Sequence, residues 1–318
     1  MSAPGLRVAL VGYGVIAGQH AVALRELGCT LAAVAGPNAA SAAAFAATHG
    51  VGRVATFDDL IAADDVDAVV VASPNEVHAE QTIAALRAGH DVLCEVPLAL
   101  SLDDVERVVA VAAETGRQVM ACHTQRYWGP VAELHRLVQA GELDLLHVIS
   151  RTCILRRDNT GWTGLTRSWT DSAVWHHGAH LVDTARWLLG DEVEHVTALT
   201  GRPHPGTGDP MDVSIAFRSR SGALASLLLS YNSTIRISDG VFIGEQDTYR
   251  TDGATLASSA GVVLDLRTVD ASQDAAVLAQ DRDFVRAVTD GAPIGLAAAA
   301  VRPVYAVLQR VHDLLARA

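Results

Sequence analysis

Short apolar runs set the rhythm of the first third of the chain. Residues 6–11, LRVALV, carry no charge after Arg7 and stop at Gly12, the pattern of a strand buried on both faces. Similar runs recur at 31–36, 66–73, 90–96 and 117–123. Between them, residues 12–27, 38–48, 75–88 and 101–115 show helical spacing, and this alternation predicts a doubly wound parallel sheet. After His123 the rhythm changes. A helix at 130–140 leads to a strand at 145–155, a histidine-rich helix, and strand-like runs at 193–200, 211–217 and 222–231 that follow one another without crossover helices. That order predicts an antiparallel sheet with one open face, and helical patterns at 275–290 and 297–317 complete it. The fold expected is therefore α/β: a Rossmann-type doubly wound parallel sheet over residues 1–122, then an α+β domain with a largely antiparallel open sheet over 123–318.

Composition narrows the function classes. A formal net charge of −12 argues against nucleic acid as partner, because phosphate binding requires a basic face. The apolar runs are too short to cross a membrane and no basic leader precedes the first strand, so a cytoplasmic protein without membrane attachment is expected. The open sheet face predicts a homo-oligomer, a dimer or tetramer. Four cysteines without a CxxC pair suggest buried thiols rather than a disulfide framework or zinc ribbon. All 24 basic residues are arginines, so no lysine amine is present to act as acid, base or Schiff-base former.

Two stretches carry candidate chemistry. Gly12, Gly14 and Ala17 read as G-x-G-x-x-A, with Val15 and Ile16 opening the helix that follows. Set after a buried strand, the turn allows close approach of a pyrophosphate and the helix N-terminus supplies amide donors. The second strand ends in Gly36, Pro37 and Asn38 instead of the carboxylate that holds the ribose of NAD, which favours NADP, with NAD as the alternative. Asn38 and Ser41 serve equally well as donors to the nucleotide or as caps of the next helix.

The second stretch is RSWTDSAVWHHGAHLVD, residues 167–183. On a helix His176, His180 and Asp183 share one face, and His177 points about a quarter-turn away, as a core histidine would. The His176–His180 spacing also permits zinc, a second reading, though no third ligand is specified. Arg151, Arg156, Arg157 and Arg167 lie within seventeen residues whose only acid is Asp158. In an acidic protein this reversal suggests a site for an anion, with surface ion pairs accounting for one or two of the four.

With SPNEVHAE at 73–80, CEVPLALS at 94–101 and the histidine helix in the same order, the chain resembles the Gfo/Idh/MocA oxidoreductases over essentially its whole length. The resemblance implies that the turn from Gly12 to His20, the segment with Ser73, Pro74, Asn75 and His78, and Glu95 with Val96 bind the cofactor. Glu95 and Pro97 match the family's Glu-Lys-Pro motif, but Val96 stands where the catalytic lysine would be. Gly178, His180 and Asp183 match Asp-x-Gly-x-His-x-x-Asp, with His176 replacing the first acid. Loss of the amine together with gain of an imidazole suggests an exchanged acid/base set.

The further combination of Glu-Val-Pro, His123 with Arg126, and the 156–159 and 167–177 segments resembles the branch acting on 4-carboxy-2-hydroxymuconate-6-semialdehyde, in aromatic catabolism. That resemblance implies oxidation of a small anionic substrate, a carboxylated cyclic hemiacetal, to a lactone or pyrone with NADP. Arg126 and Arg167, then Arg156 and Asn159, with His177, are the expected substrate-binding residues. His180, or His176 in its place, is the expected base, oriented by Asp183. The alternatives are a sugar or cyclitol dehydrogenase, a catalytically silent NAD(P)-binding regulator, and a zinc hydrolase.

Overall fold

A computed structural model describes residues 5–156, 172–204, 208, 210–267 and 273–317. The chain divides into two compact units, Met1–Thr124 with Gln273–Arg302, and Gln125–Ser272 with Pro303–Ala318. The division expected from the sequence was linear, at 122/123. The structure instead returns a C-terminal segment to the first unit, because a late helix packs against an early one.

In the first unit the strands are β1 (Arg7–Val11), β2 (Thr30–Ala35), β3 (Arg53–Ala55), β4 (Ala68–Val71), β5 (Asp91–Cys94) and β6 (Val119–Ala121). The helices are α1 (Val15–Glu26), α2 (Ala39–His49), α3 (Phe57–Ile61), α4 (His78–Arg87) and α5 (Leu102–Thr115). All the pairings are parallel, in the order β3-β2-β1-β4-β5-β6. Val8 to Leu10 and Ala68 to Val71 are fully buried, which is why these strands read as unbroken apolar runs. The order reverses between β1 and β4, and the crevice beyond their carboxyl ends is where such sheets take ligands. Local chemistry fixes the helix ends: Ser101 caps α5 by accepting from the Asp104 N–H, and Gly116 ends it in the left-handed conformation.

The second unit begins with α6 (Gly129–Gln139), β7 (Leu145–Leu155) and α7 (His177–Leu189). It continues through β8 (Val193–Thr200), β9 (Asp212–Ser219), β10 (Leu224–Ser230), β11 (Asn232–Gly244), β12 (Thr248–Thr251), β13 (Thr255–Ser258) and β14 (Gly261–Asp265). These form a sheet in the order β14-β13-β12-β11-β7-β10-β9-β8, antiparallel except where β10 runs parallel to β7. Alternation is clear on β9 and β10. Val213, Ile215, Phe217, Ala225, Leu227 and Leu229 are buried, and α7 packs on that side, while Leu224 and Leu228 on the other face are exposed. Gly178 lets α7 settle close, since a Cβ there would lie 3.4 Å from Leu229 Cδ1 and 3.2 Å from the Ala173 carbonyl.

Two late helices follow, α8 (Gln273–Asp290) and α9 (Ala298–Leu315). α8 lies along α1 in the first unit, where Gln19 Nε2 donates to Asp274 Oδ1 at 2.9 Å. Among the described residues no helix is long and apolar enough to cross a membrane.

Candidate active site

In the first unit the candidate nucleotide residues gather at the carboxyl edge of the sheet. Gly12 has φ +109°, and a Cβ on it would stand 2.3 Å from the Ala72 carbonyl oxygen at the end of β4. Only glycine fits this crossing of the loops after β1 and β4. Gly14 is the N-cap of α1 and carries no side-chain cap, and a Cβ added to it would meet no atom within 4 Å. The space beside Gly14 is therefore open, and no side chain caps the start of α1. Such a cradle fits a pyrophosphate.

The end of β2 is shaped by a residue the sequence reading did not single out. Tyr13 lies over Gly36, where a Cβ would come 2.1 Å from its ring, and the Tyr13 hydroxyl accepts from the Asn38 N–H at 3.1 Å. Asn38 Oδ1 accepts from the Ser41 N–H at 2.9 Å, so its oxygen caps α2. Of the two roles held open for Asn38 and Ser41, the structure displays the cap.

Beyond β4, Asn75 is buried, and Ser73 Oγ donates to Gln81 Oε1 at 2.5 Å. His78 is buried with Nδ1 2.7 Å from the Pro97 carbonyl and Nε2 2.8 Å from the Ser73 carbonyl. Its ring links the loop after β4 to the loop after β5, which contains the cis Val96–Pro97 peptide. The residue expected to touch the cofactor thus braces the segments that form the edge. Val96 is buried, and its N–H donates to Glu95 Oε2 at 3.3 Å.

In the second unit α7 begins at His177, later than the sequence suggests. His176 is its N-cap residue, with φ −89° and ψ −83°, so it does not share a helical face with His180 in the way the spacing implies. The rings still meet: those of His176 and His180 lie edge to face with centroids 6.2 Å apart, and those of His176 and His177 stack at 4.5 Å. His177 Nδ1 shares a 2.7 Å hydrogen bond with the hydroxyl of Tyr231, a buried residue at the end of β10. Burial, then the neighbouring charges of His176, His180, Arg156 and Arg236, push the His177 imidazole well below its ordinary range. Arg156 sits over the Tyr231 ring at 5.8 Å. The cluster is thus a set of imidazoles in a locally positive setting.

Arg126 and Asp183 form a separate pair. Arg126 Nε and Nη2 donate to the two carboxylate oxygens at 2.9 and 2.6 Å, and the guanidinium lies 5.2 Å from the Trp187 ring centroid. The Asp183 carboxylate holds Arg126, and the Tyr231 hydroxyl meets His177. Arg151 is likewise engaged, its Nε donating to Asp239 Oδ1 at 2.7 Å on the exposed face, so it is one of the surface pairs anticipated. Arg157, Asn159 and Arg167 lie outside the described residues.

Three comparisons place this geometry among known proteins. Residues 6–123 match the family model described as "Oxidoreductase family, NAD-binding Rossmann fold", and residues 131–270 match "Bacterial oxidoreductases, C-terminal". A 4-carboxy-2-hydroxymuconate-6-semialdehyde dehydrogenase from Sphingobium sp. (strain NBRC 103272 / SYK-6) is 35% identical over 312 residues, spanning 95% of this chain and 96% of that protein. An inositol 2-dehydrogenase from Klebsiella pneumoniae (strain 342) is 30% identical over 71% of this chain and 68% of its own length. Among solved structures, the WlbA dehydrogenase from Bordetella pertussis in complex with NADH and UDP-GlcNAcA superposes with a TM-score of 0.87 at 19% identity, over 100% of this chain and 97% of that one. At that identity the likeness speaks for the fold.

Proposed function

The chain belongs to the Gfo/Idh/MocA oxidoreductase family, and on that premise we propose that it oxidises a small carboxylated cyclic hemiacetal to a lactone with a nicotinamide dinucleotide as acceptor. The observation that carries the reading is the imidazole cluster of His176, His177 and His180 beside Arg156, in a chain with Val96 at the lysine position and no lysine anywhere. The relative from Sphingobium, matched over nearly its whole length, carries a name of this chemistry and supports the choice over an inositol or sugar substrate.

Gly12, Gly14, Val15, Ile16 and Ala17 hold the pyrophosphate, and the segments Pro37–Asn38, Ser73–Asn75 and Glu95–Val96 complete the nucleotide site. The bound nicotinamide supplies hydride acceptance. The missing carboxylate after β2 favours NADP over NAD as the partner. His180 takes the proton of the lactol hydroxyl, with His176 as its neighbour. Guanidinium groups bind carboxylates through two parallel bonds, and Arg156, with Arg167 and Asn159, takes this part. Arg126, which gives Nε and Nη2 to Asp183, contributes its Nη1 donors. His177, kept neutral, binds the substrate as a hydrogen-bond partner steadied by Tyr231.

The exposed leucines on the open face of the second unit, Leu224 and Leu228 with Leu199, support association through that face into a dimer or tetramer. Arg156→Ala tests the anion reading: it should raise the substrate KM at least tenfold while leaving that of the dinucleotide unchanged. Equal effects on both would count against a carboxylate clamp.

A further inference from the structure

The first unit buries a line of ionisable groups of which the proposed function uses only Glu95. Asp281 on α8, His20 on α1, Glu95 after β5 and Cys122 after β6 come together, and ligand-type atoms of the last three lie within 4.8 Å of one another. His20 and Asp281 are wholly buried. His20 Nδ1 is 2.8 and 3.0 Å from the two Asp281 oxygens, and Nε2 is 2.9 Å from Glu95 Oε1.

An imidazole that meets a carboxylate on each nitrogen donates on both sides only as the cation. Burial alone pushes the His20 cation down, but the charges and hydrogen bonds of Asp281 and Glu95 outweigh it and hold the group up at about 10. Gln280 Nε2 donates to Asp281 Oδ1 at 3.3 Å and so fixes the far end. The Cys122 thiol faces the same cluster and is pushed well above its ordinary range by burial, then by Glu95 and Asp281, so it stays neutral. Cys29 and Cys94 are raised to about 11 and about 12, burial being the main cause. With two carboxylates and one imidazolium, the line carries one net negative charge.

Glu95 is the member that reaches the surface, with its side chain 14% exposed. It follows β5, on the same carboxyl edge as Gly12 and Asn75. In such sheets the adenosine half of the dinucleotide lies toward the end of β2, which leaves the β4–β6 side to the nicotinamide half.

We propose that Asp281 and His20 are positioning residues that hold Glu95 as an anion toward the nicotinamide half of the bound dinucleotide, so that the first unit prefers the oxidised, cationic ring to the reduced, neutral one. The inference rests on the dinucleotide reading above. A residual negative charge several ångströms from the ring separates the two redox forms by on the order of tenfold in affinity. Asp281 is the brace that keeps His20 charged, and loss of its carboxylate makes the net charge of the line depend on pH.

The experiment is titration of the full chain with NADP+ and NADPH, and with NAD+ and NADH, for the wild type, Glu95→Gln and Asp281→Asn across pH 6–9. Binding of 2′-phospho-ADP-ribose serves as a control for folding. In the wild type the oxidised form should bind more tightly, by a factor that does not change with pH. Glu95→Gln should lower that factor about tenfold, with retained binding of the control ligand showing that the variant folds. Asp281→Asn should make the factor rise with pH, because at low pH the His20 cation offsets the Glu95 carboxylate and at high pH it no longer does. Dinucleotide binding with the same flat factor in all three proteins would overturn this inference alone. No binding of either redox form to the wild type would overturn the dinucleotide reading together with it.

Discussion

Arg126 and Asp183 meet through two hydrogen bonds, with the carboxylate wholly buried and the guanidinium 13% exposed. Removing one partner of such a pair strands the other charge in a medium that solvates it poorly. Asp183→Asn or Arg126→Gln should therefore lower unfolding free energy by about 3 kcal/mol. Chemical denaturation is the measurement, and the double variant should lose less than the two single losses added together. Additive losses would show that the two residues do not act as a pair.

The pair also marks how far the sequence could be read. The strands of the first unit were legible because burial on both faces leaves an uninterrupted apolar run, as at Val8–Val11 and Ala68–Val71. Residues 53–55 and 57–61 went unread, being a three-residue strand and a five-residue helix too short to show a period. Strands β11 to β14 were also missed, since their runs mix Ser, Thr, Asp and Gly with apolar residues, and three of them have at most five residues.

The motif positions of the candidate site were legible for a similar local reason. Gly12 and Gly14 sit in one turn, and His176, His177 and His180 lie close together in the chain. What joins distant segments was not: Asp281 lies 261 residues from His20, and Tyr231 lies 54 from His177. No spacing rule connects such pairs. The start of α7 was misplaced because periodicity reports a helical face but not the residue at which the helix begins.

Gly12→Ala should reduce dinucleotide affinity at least tenfold. The new methyl group would sit 2.3 Å from the Ala72 carbonyl oxygen on a backbone with φ +109°, so the loops after β1 and β4 must separate. Calorimetric titration reads the effect, and unchanged affinity would remove the glycine turn from the nucleotide site.

His20 links pH to stability with a definite sign. Its folded value is held up near 10 against an ordinary value of 6.5, so its contribution is fully present below about pH 6.5 and is lost as pH rises through 10. Between pH 6.5 and 8.5, below the range where buried thiols act in the same direction, unfolding free energy should fall by ~1 kcal/mol per pH unit. His20→Gln should flatten that slope. A wild-type profile already flat across this window would show that the imidazole is not held charged.

His180→Ala should lower kcat by a factor of about 10² to 10⁴ at saturating dinucleotide, the range supplied by a positioned base, with little change in dinucleotide affinity. The His176→Ala variant tells the neighbours apart: the base is the residue whose loss removes the acidic limb of the pH–rate profile. Near wild-type turnover in His180→Ala would take the proton-abstraction role from that residue.

Nicotinamide absorbance, followed while the wild-type protein meets a carboxylated cyclic hemiacetal or myo-inositol with NAD+ and NADP+ in parallel, tests the proposed chemistry most directly. The expected result is reduced nicotinamide formed with the carboxylated hemiacetal, faster with NADP+, and little or none with the cyclitol. Turnover of inositol without turnover of any carboxylated hemiacetal would contradict it.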